Sequence, residues 1–320
     1  MTARSGVTPS RAVGANADRS PGAADRDRRT AVPSSTAERP DVTHARLEDA
    51  RGAAGSGAVE PGARAPWKAV TLPTEHGGWG LTLEPCLLGL LVAPSLAGAA
   101  LAAATFLAVL VRTPLKLALV DRRRGRRLDR TRLATRIAAA EAVVLVGLAA
   151  TATALAGPVI WLPVVAAVPF VAIEGWYEIR SRGRRLVPEL AGAVGVSAAA
   201  ASIALAGGAS ATLAVGLWLI LAGRCATSIP QVRAQVLALH GRSASAGSTV
   251  AGDLAAIALG VAAVLLDRAL VAGAVALLVV VVVQWLLARR PAPAAKVIGF
   301  RQLGLGLALV LVTAAGALLA

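Results

Sequence analysis

The sequence predicts an all-α fold: a polytopic transmembrane helical bundle of about nine spans, with its N-terminus inside. Three observations carry this prediction. Hydrophobic residues make up 56% of the 320-residue chain and the mean hydropathy is +0.66, above the roughly 45–50% apolar content of a soluble domain. The apolar residues fall into nine segments between residues 77 and 319. Basic residues then gather at every second break between those segments.

The elements follow in order. Residues 1–70 mix Pro, Ser, Gly, Arg and Asp without periodicity. Such a stretch buries too little apolar surface to offset its ordering entropy, so a disordered cytoplasmic tail is expected there, with the membrane domain over 71–320. The apolar segments run over roughly 77–93, 96–112, 134–156, 158–174, 187–206, 211–224, 248–266, 269–288 and 298–319. A bilayer core needs about 20 helical residues, within a range of about 17–25, so the first and sixth segments are short. The breaks at 93–96, 156–158, 207–211 and 267–268 are nearly uncharged, whereas 112–136, 174–188, 224–247 and 289–301 are long and basic. Of the 22 Lys and Arg after residue 68, only Arg268 lies at the first set. Positive loops stay cytoplasmic, which sets the N-terminus inside and the C-terminus outside. Trp79, Trp176 and Trp285 near inner ends, and Trp161 near an outer one, suit the interfaces. The expected location is the bacterial plasma membrane.

Two cysteines make no disulfide framework, and no close Cys/His cluster suggests a metal. Cys86 and Cys225 are expected to be small packing residues, and no cofactor or metal is expected. The net charge of +15 invites a nucleic-acid reading, but the basic residues are spread over alternate breaks as membrane insertion requires, with no nucleic-acid-binding signature. The expected partners are the lipid bilayer, anionic headgroups at the cytoplasmic face and a small anionic ligand.

Several ionisable groups are candidates for a site. Glu75 and His76 sit just before the first span, with Gly77, Gly78 and Trp79 following. An adjacent acid and imidazole form an acid/base pair in principle, and a solvated entry turn is the plainer alternative. Glu84 lies inside the first span, where a carboxylate needs a partner or water. Arg112 and Lys116 are an i, i+4 pair at the inner end of span 2, and Arg224 and Arg233 stand at the inner end of span 6. A guanidinium fork there suits a carboxylate or phosphate, although each such residue is also what positive-inside anchoring requires. Glu75, His76 and Glu84 are expected to form one wall of a cytoplasmic cavity and Arg112 and Arg224 the opposite wall, with Trp79, Lys116 and Arg233 as further substrate-binding candidates. Glu141, Glu189 and Asp253 are further acids able to pair across the bundle.

The stretch Glu75-His76-Gly77-Gly78-Trp79, with Pro85 and Gly89 following, resembles the opening of the YwiC-like family of bacterial integral membrane proteins. Arg112-Thr113-Pro114-Leu115-Lys116 and Pro230-Gln231-Val232-Arg233 are similar to that family as well. The resemblance covers roughly 70–320 and implies a multi-pass membrane protein without implying an activity. The nine-span topology is more distantly similar to the UbiA prenyltransferase superfamily, which places acidic magnesium motifs after spans 2 and 6. Here Asp121 and Asp129 stand eight apart among arginines, and no acid occurs from Arg224 to Gly247. The expected function is binding or movement of a small anionic or amphipathic molecule through an inner cavity. A UbiA-like enzyme acting on an isoprenoid or other anionic lipid, and a structural or regulatory membrane subunit, are the alternatives.

Overall fold

The computed structural model describes residues 78–125, 129–180, 182–183 and 185–320, with side chains from residue 80 onward. The tail expected over 1–70, together with Glu75, His76 and the side chain of Trp79, lies outside the described residues.

Among the described residues there are ten α-helices and two 3-10 turns. They are α1 Gly78–Val92, α2 Leu96–Arg123 and α3 Asp129–Ala156, then a 3-10 turn Pro158–Trp161 leading into α4 Leu162–Ile179. Next come α5 Leu186–Ser197, α6 Ala199–Ala206, α7 Ala211–Leu239 and α8 Ala246–Leu266. A 3-10 turn Arg268–Leu270 enters α9 Val271–Ala288, and α10 Ala295–Leu319 closes the chain. Helices α5 and α6 form one span, Leu186–Ala206, which bends where Ser197 Oγ and Trp218 Nε1 both donate to the Val194 carbonyl, at 2.8 and 2.9 Å. Among the described residues, eight segments are long and apolar enough to cross a bilayer, and α1 is a shorter apolar helix.

The nine segments thus stand where the hydropathy places them, but several helices run on into the basic stretches. The basic stretches 112–136 and 224–247 are mostly helix, and the turns there shrink to a few residues around Gly125 and Gly241, both at positive φ. Hydropathy drops where charge begins, yet the backbone keeps its helical hydrogen bonds, because Arg, Lys and Gln are good helix formers. The sixth segment is therefore a 29-residue helix, with Arg224 at its middle and Pro230 inside it.

Three of the nearly uncharged turns are capped by side chains. Ser95 accepts from the Gly98 amide at 2.9 Å, Ser210 from Leu213 at 3.1 Å and Asp267 from Ala269 at 3.1 Å. Each satisfies one of the orphan amides of a helix start. The largest core cluster joins α1, α6, α7, α8, α9 and α10 through Leu88, Leu217, Leu221, Leu277 and Leu309. Glycines set the closest seams: Gly223 lies against Leu277 and the Ala256 carbonyl, and Gly252 against the Ala226 carbonyl. Small residues permit such approach where no hydrophobic force draws helices together. The outer faces of α3, α4 and α8 present Val143, Val146, Val165 and Leu254 outward, as lipid contact requires.

Candidate functional site

Helix α1 brings Glu84 inward, and the carboxyl group lands in a notch on α10. The notch exists because position 306 is glycine: a Cβ there would occupy the place of the Glu84 carboxylate. Gly306 is also four residues beyond Gln302, whose carbonyl its own amide faces in helical geometry. Without a side chain at 306, that carbonyl is uncovered. Arg224 of α7 uses it, with Nη2 donating to the Gln302 oxygen at 2.7 Å. The same nitrogen lies 3.7 Å from Glu84 Oε1. Three helices meet at one ion pair, and the residues forming it are only 3% and 2% exposed for Glu84 and Arg224.

The pair is incompletely satisfied. A guanidinium carries five N–H donors, and neither Nε nor Nη1 of Arg224 has a hydrogen-bond partner. At 3.7 Å, the attraction between unit charges is about 4 kcal/mol at an effective dielectric of 20. Desolvating the two ions costs several kcal/mol each, so the pair does not stabilise the fold by itself. Ionisable groups held at such cost inside a bundle are functional candidates. Around it, α7 turns a buried polar stripe inward: Thr227, Ser228 and Gln231 follow Arg224 at helical spacing. Ser228 Oγ donates to the Arg224 carbonyl at 2.6 Å and Thr227 Oγ1 donates to Asp253 Oδ1. Gln284 of α9 is fully buried, and neither its Oε1 nor its Nε2 has a partner; Gln302 Oε1 likewise has none.

The other expected site residues are placed elsewhere. Arg112 and Lys116 face α4, not Glu84. Arg112 Nη2 is 2.7 Å from Glu174 Oε1 and 2.8 Å from Glu178 Oε1, and Lys116 Nζ is 3.1 Å from Glu178 Oε1. Two i, i+4 ladders of opposite sign meet there, seated over Gly192, where a Cβ would strike the Glu174 carboxylate. The cluster is neutral and its basic heads are half exposed. Arg233 pairs with Glu189 at 3.3 Å. Arg112 and Arg224, expected on one wall, thus stand in different ion-pair groups, and the candidates Lys116 and Arg233 pair with acids on α4 and α5 as well. The α4 acids stand within a helix that continues past residue 174, where the sequence pattern suggested a loop.

Asp121 accepts from Arg130 at 3.2 and 3.3 Å and from Thr131 at 2.7 Å, while exposed Asp129 lies 3.9 Å from Arg132. The two aspartates therefore engage different partners. Among the described residues, no group of three His, Cys, Asp or Glu converges as a metal site. Glu141 Oε2 has no hydrogen-bond partner there either. Cys86 and Cys225 are free and buried.

Gln284 and Gln302 escaped the sequence reading because each is a single uncharged polar residue averaged into a long apolar window. A signal was present: Gln284 is the lone polar residue of VAGAVALLVVVVVQWLLA.

Residues 72–204 match the family described as YwiC-like protein. Searches of curated proteins and of solved structures find no match. The matched stretch spans α1 to most of α6, so it contains Glu84 and both ladders of the α2–α4 cluster but ends before Arg224.

Proposed function

Taking a multi-pass membrane protein with a YwiC-like segment over residues 72–204 as the premise, we propose that it binds a small anionic or amphipathic molecule at Arg224, reached from the cytoplasmic face, and carries it within the membrane. One observation supports this above the others: a fully buried guanidinium with two nitrogens unpartnered, beside a buried carboxylate. An arginine so placed is poised to donate to a carboxylate or phosphate oxygen. The basic stretches set the N-terminus and the turns after α2, α4, α7 and α9 at the cytoplasmic side of the bacterial plasma membrane, where they also draw anionic headgroups and soluble anions. The Arg112 and Arg233 clusters flank the approach.

The test is anion-dependent thermal unfolding of the purified full-length protein at constant ionic strength, with acetate and inorganic phosphate against chloride. At least one should raise Tm in the wild type and lose that effect in Glu84→Ala/Arg224→Met, which removes both charges together. Equal responses in the two proteins, or no response in the wild type, would refute the reading.

A further inference from the structure

We propose that Gln284 and Gln302 complete the Arg224 site, and that together they select a small organic monocarboxylate bearing a hydroxyl group beside its charge. This rests on the anion-binding reading above and narrows its ligand.

The placement follows from helix register. Gly273 of α9 lies against Thr313 of α10, and Gly316 against Ala272, so the two helices run antiparallel. Gln284 is eleven residues inward of Gly273, and Gln302 is eleven residues inward of Thr313. Eleven residues at about 100° each make three turns plus roughly 20°, a travel of about 16 Å. Both glutamines therefore stand on the faces that meet across this seam, at one level. Arg224 joins them there, because its Nη2 already donates to the Gln302 carbonyl. Gly216 meets Leu270 and Gly223 meets Leu277, so α7 and α9 run parallel. Gln284, seven residues beyond Leu277, keeps the face turned to α7 and stands opposite position 230, roughly 9 Å further along the helices than Arg224, an offset that the long arginine side chain crosses toward Gln302.

The unpartnered atoms define the ligand. Arg224 Nε and Nη1 offer donors for an anionic oxygen, Gln284 Nε2 offers a neutral donor, and Gln284 Oε1 and Gln302 Oε1 offer neutral acceptors. A hydroxyl both donates and accepts, and so answers an amide pair that a bare carboxylate leaves idle. Charge sets the other limit. The single cation already faces Glu84, so one added negative charge is tolerated far better than the several of a diphosphate. Leu277, Val280 and Val281 beside the seam leave the remaining surface apolar, as suits a carbon skeleton.

The experiment compares glycolate with acetate, which differ by one hydroxyl, in titrations of the full-length protein and of Gln284→Leu, Gln302→Leu and Arg224→Lys. Glycolate should bind the wild type roughly three- to tenfold tighter than acetate, the worth of one neutral hydrogen bond. Gln284→Leu and Gln302→Leu should each erode that preference while acetate binding persists, and Arg224→Lys should weaken both ligands. Equal binding of the two, unaltered by either glutamine variant, overturns this inference and leaves the anion reading standing. Failure of both ligands to bind the wild type overturns this inference, and the phosphate arm of the earlier experiment then decides the broader reading.

Discussion

Substituting Gly306 by alanine tests the notch on α10 directly. The three atoms nearest a Cβ at this position all belong to the Glu84 carboxyl group. The methyl therefore cannot enter without expelling that group from its place beside Arg224. Overpacking of this kind costs about 1–3 kcal/mol. Displacement of the carboxylate adds to it, because breaking a buried pair leaves an uncompensated charge, at about 3–5 kcal/mol when the loss is complete. Gly306→Ala should therefore destabilise by at least about 1–3 kcal/mol. In Glu84→Ala/Arg224→Met, the same substitution meets space already vacated, and a helix gains roughly 0.5–1 kcal/mol from replacing glycine by alanine. The sign should reverse between the two backgrounds. The assay is equilibrium unfolding of the four proteins in one detergent, read by loss of helical ellipticity. A Gly306→Ala cost that is the same in both backgrounds would show that Glu84 does not occupy the notch.

Gln284→Leu removes two buried, unpartnered amide atoms and should raise stability by about 1–3 kcal/mol in ligand-free unfolding; a loss of stability would mean the amide has partners. Gly252→Ala drives a methyl into the Ala226 backbone carbonyl, which cannot yield, whereas Gly147 and Gly304 face open space; alanine at 252 should destabilise far more than at either control in the same melts. Ser95→Ala deletes the cap on the Gly98 amide and should cost about 1 kcal/mol, while no measurable change would place that amide in water instead. A topology reporter fused after Ala320 should read outside and one after Arg242 inside, and an inside signal at Ala320 would overturn the assigned orientation.

The architecture was legible because hydropathy and alternating charge are both large, local signals. They place every helix, including the bend-free stretch of α9 with its five consecutive valines. The helix ends were less legible. Arg112 and Arg224 read as the limits of their segments, since a charged residue ends an apolar window whether or not the backbone unwinds. Arg224 instead stands mid-helix, because Gln302 and Glu84, far away in sequence, receive it. Partner choice was least legible. Glu174 and Glu178 share the i, i+4 spacing of Arg112 and Lys116, and that symmetry hinted at two facing ladders. Which helix faces α2 depends on the packing of the whole bundle, and no local pattern contains it.

The union of α1 with α7 and α10 also has a consequence for synthesis. Glu84 leaves the ribosome roughly 140 residues ahead of Arg224 and roughly 220 ahead of Gln302. At about 5–20 residues per second, the second interval lasts roughly 10–40 s. For roughly the first two-thirds of it the carboxylate lacks its cation, and throughout it lacks the glycine groove that receives it. Helix α1, brief and acidic, is thus poorly suited to settle in lipid when it emerges, and its final seating must await the last helix. A chain arrested before α10 should leave α1 open to water-soluble thiol labels at an engineered cysteine, and release of the complete chain should close it.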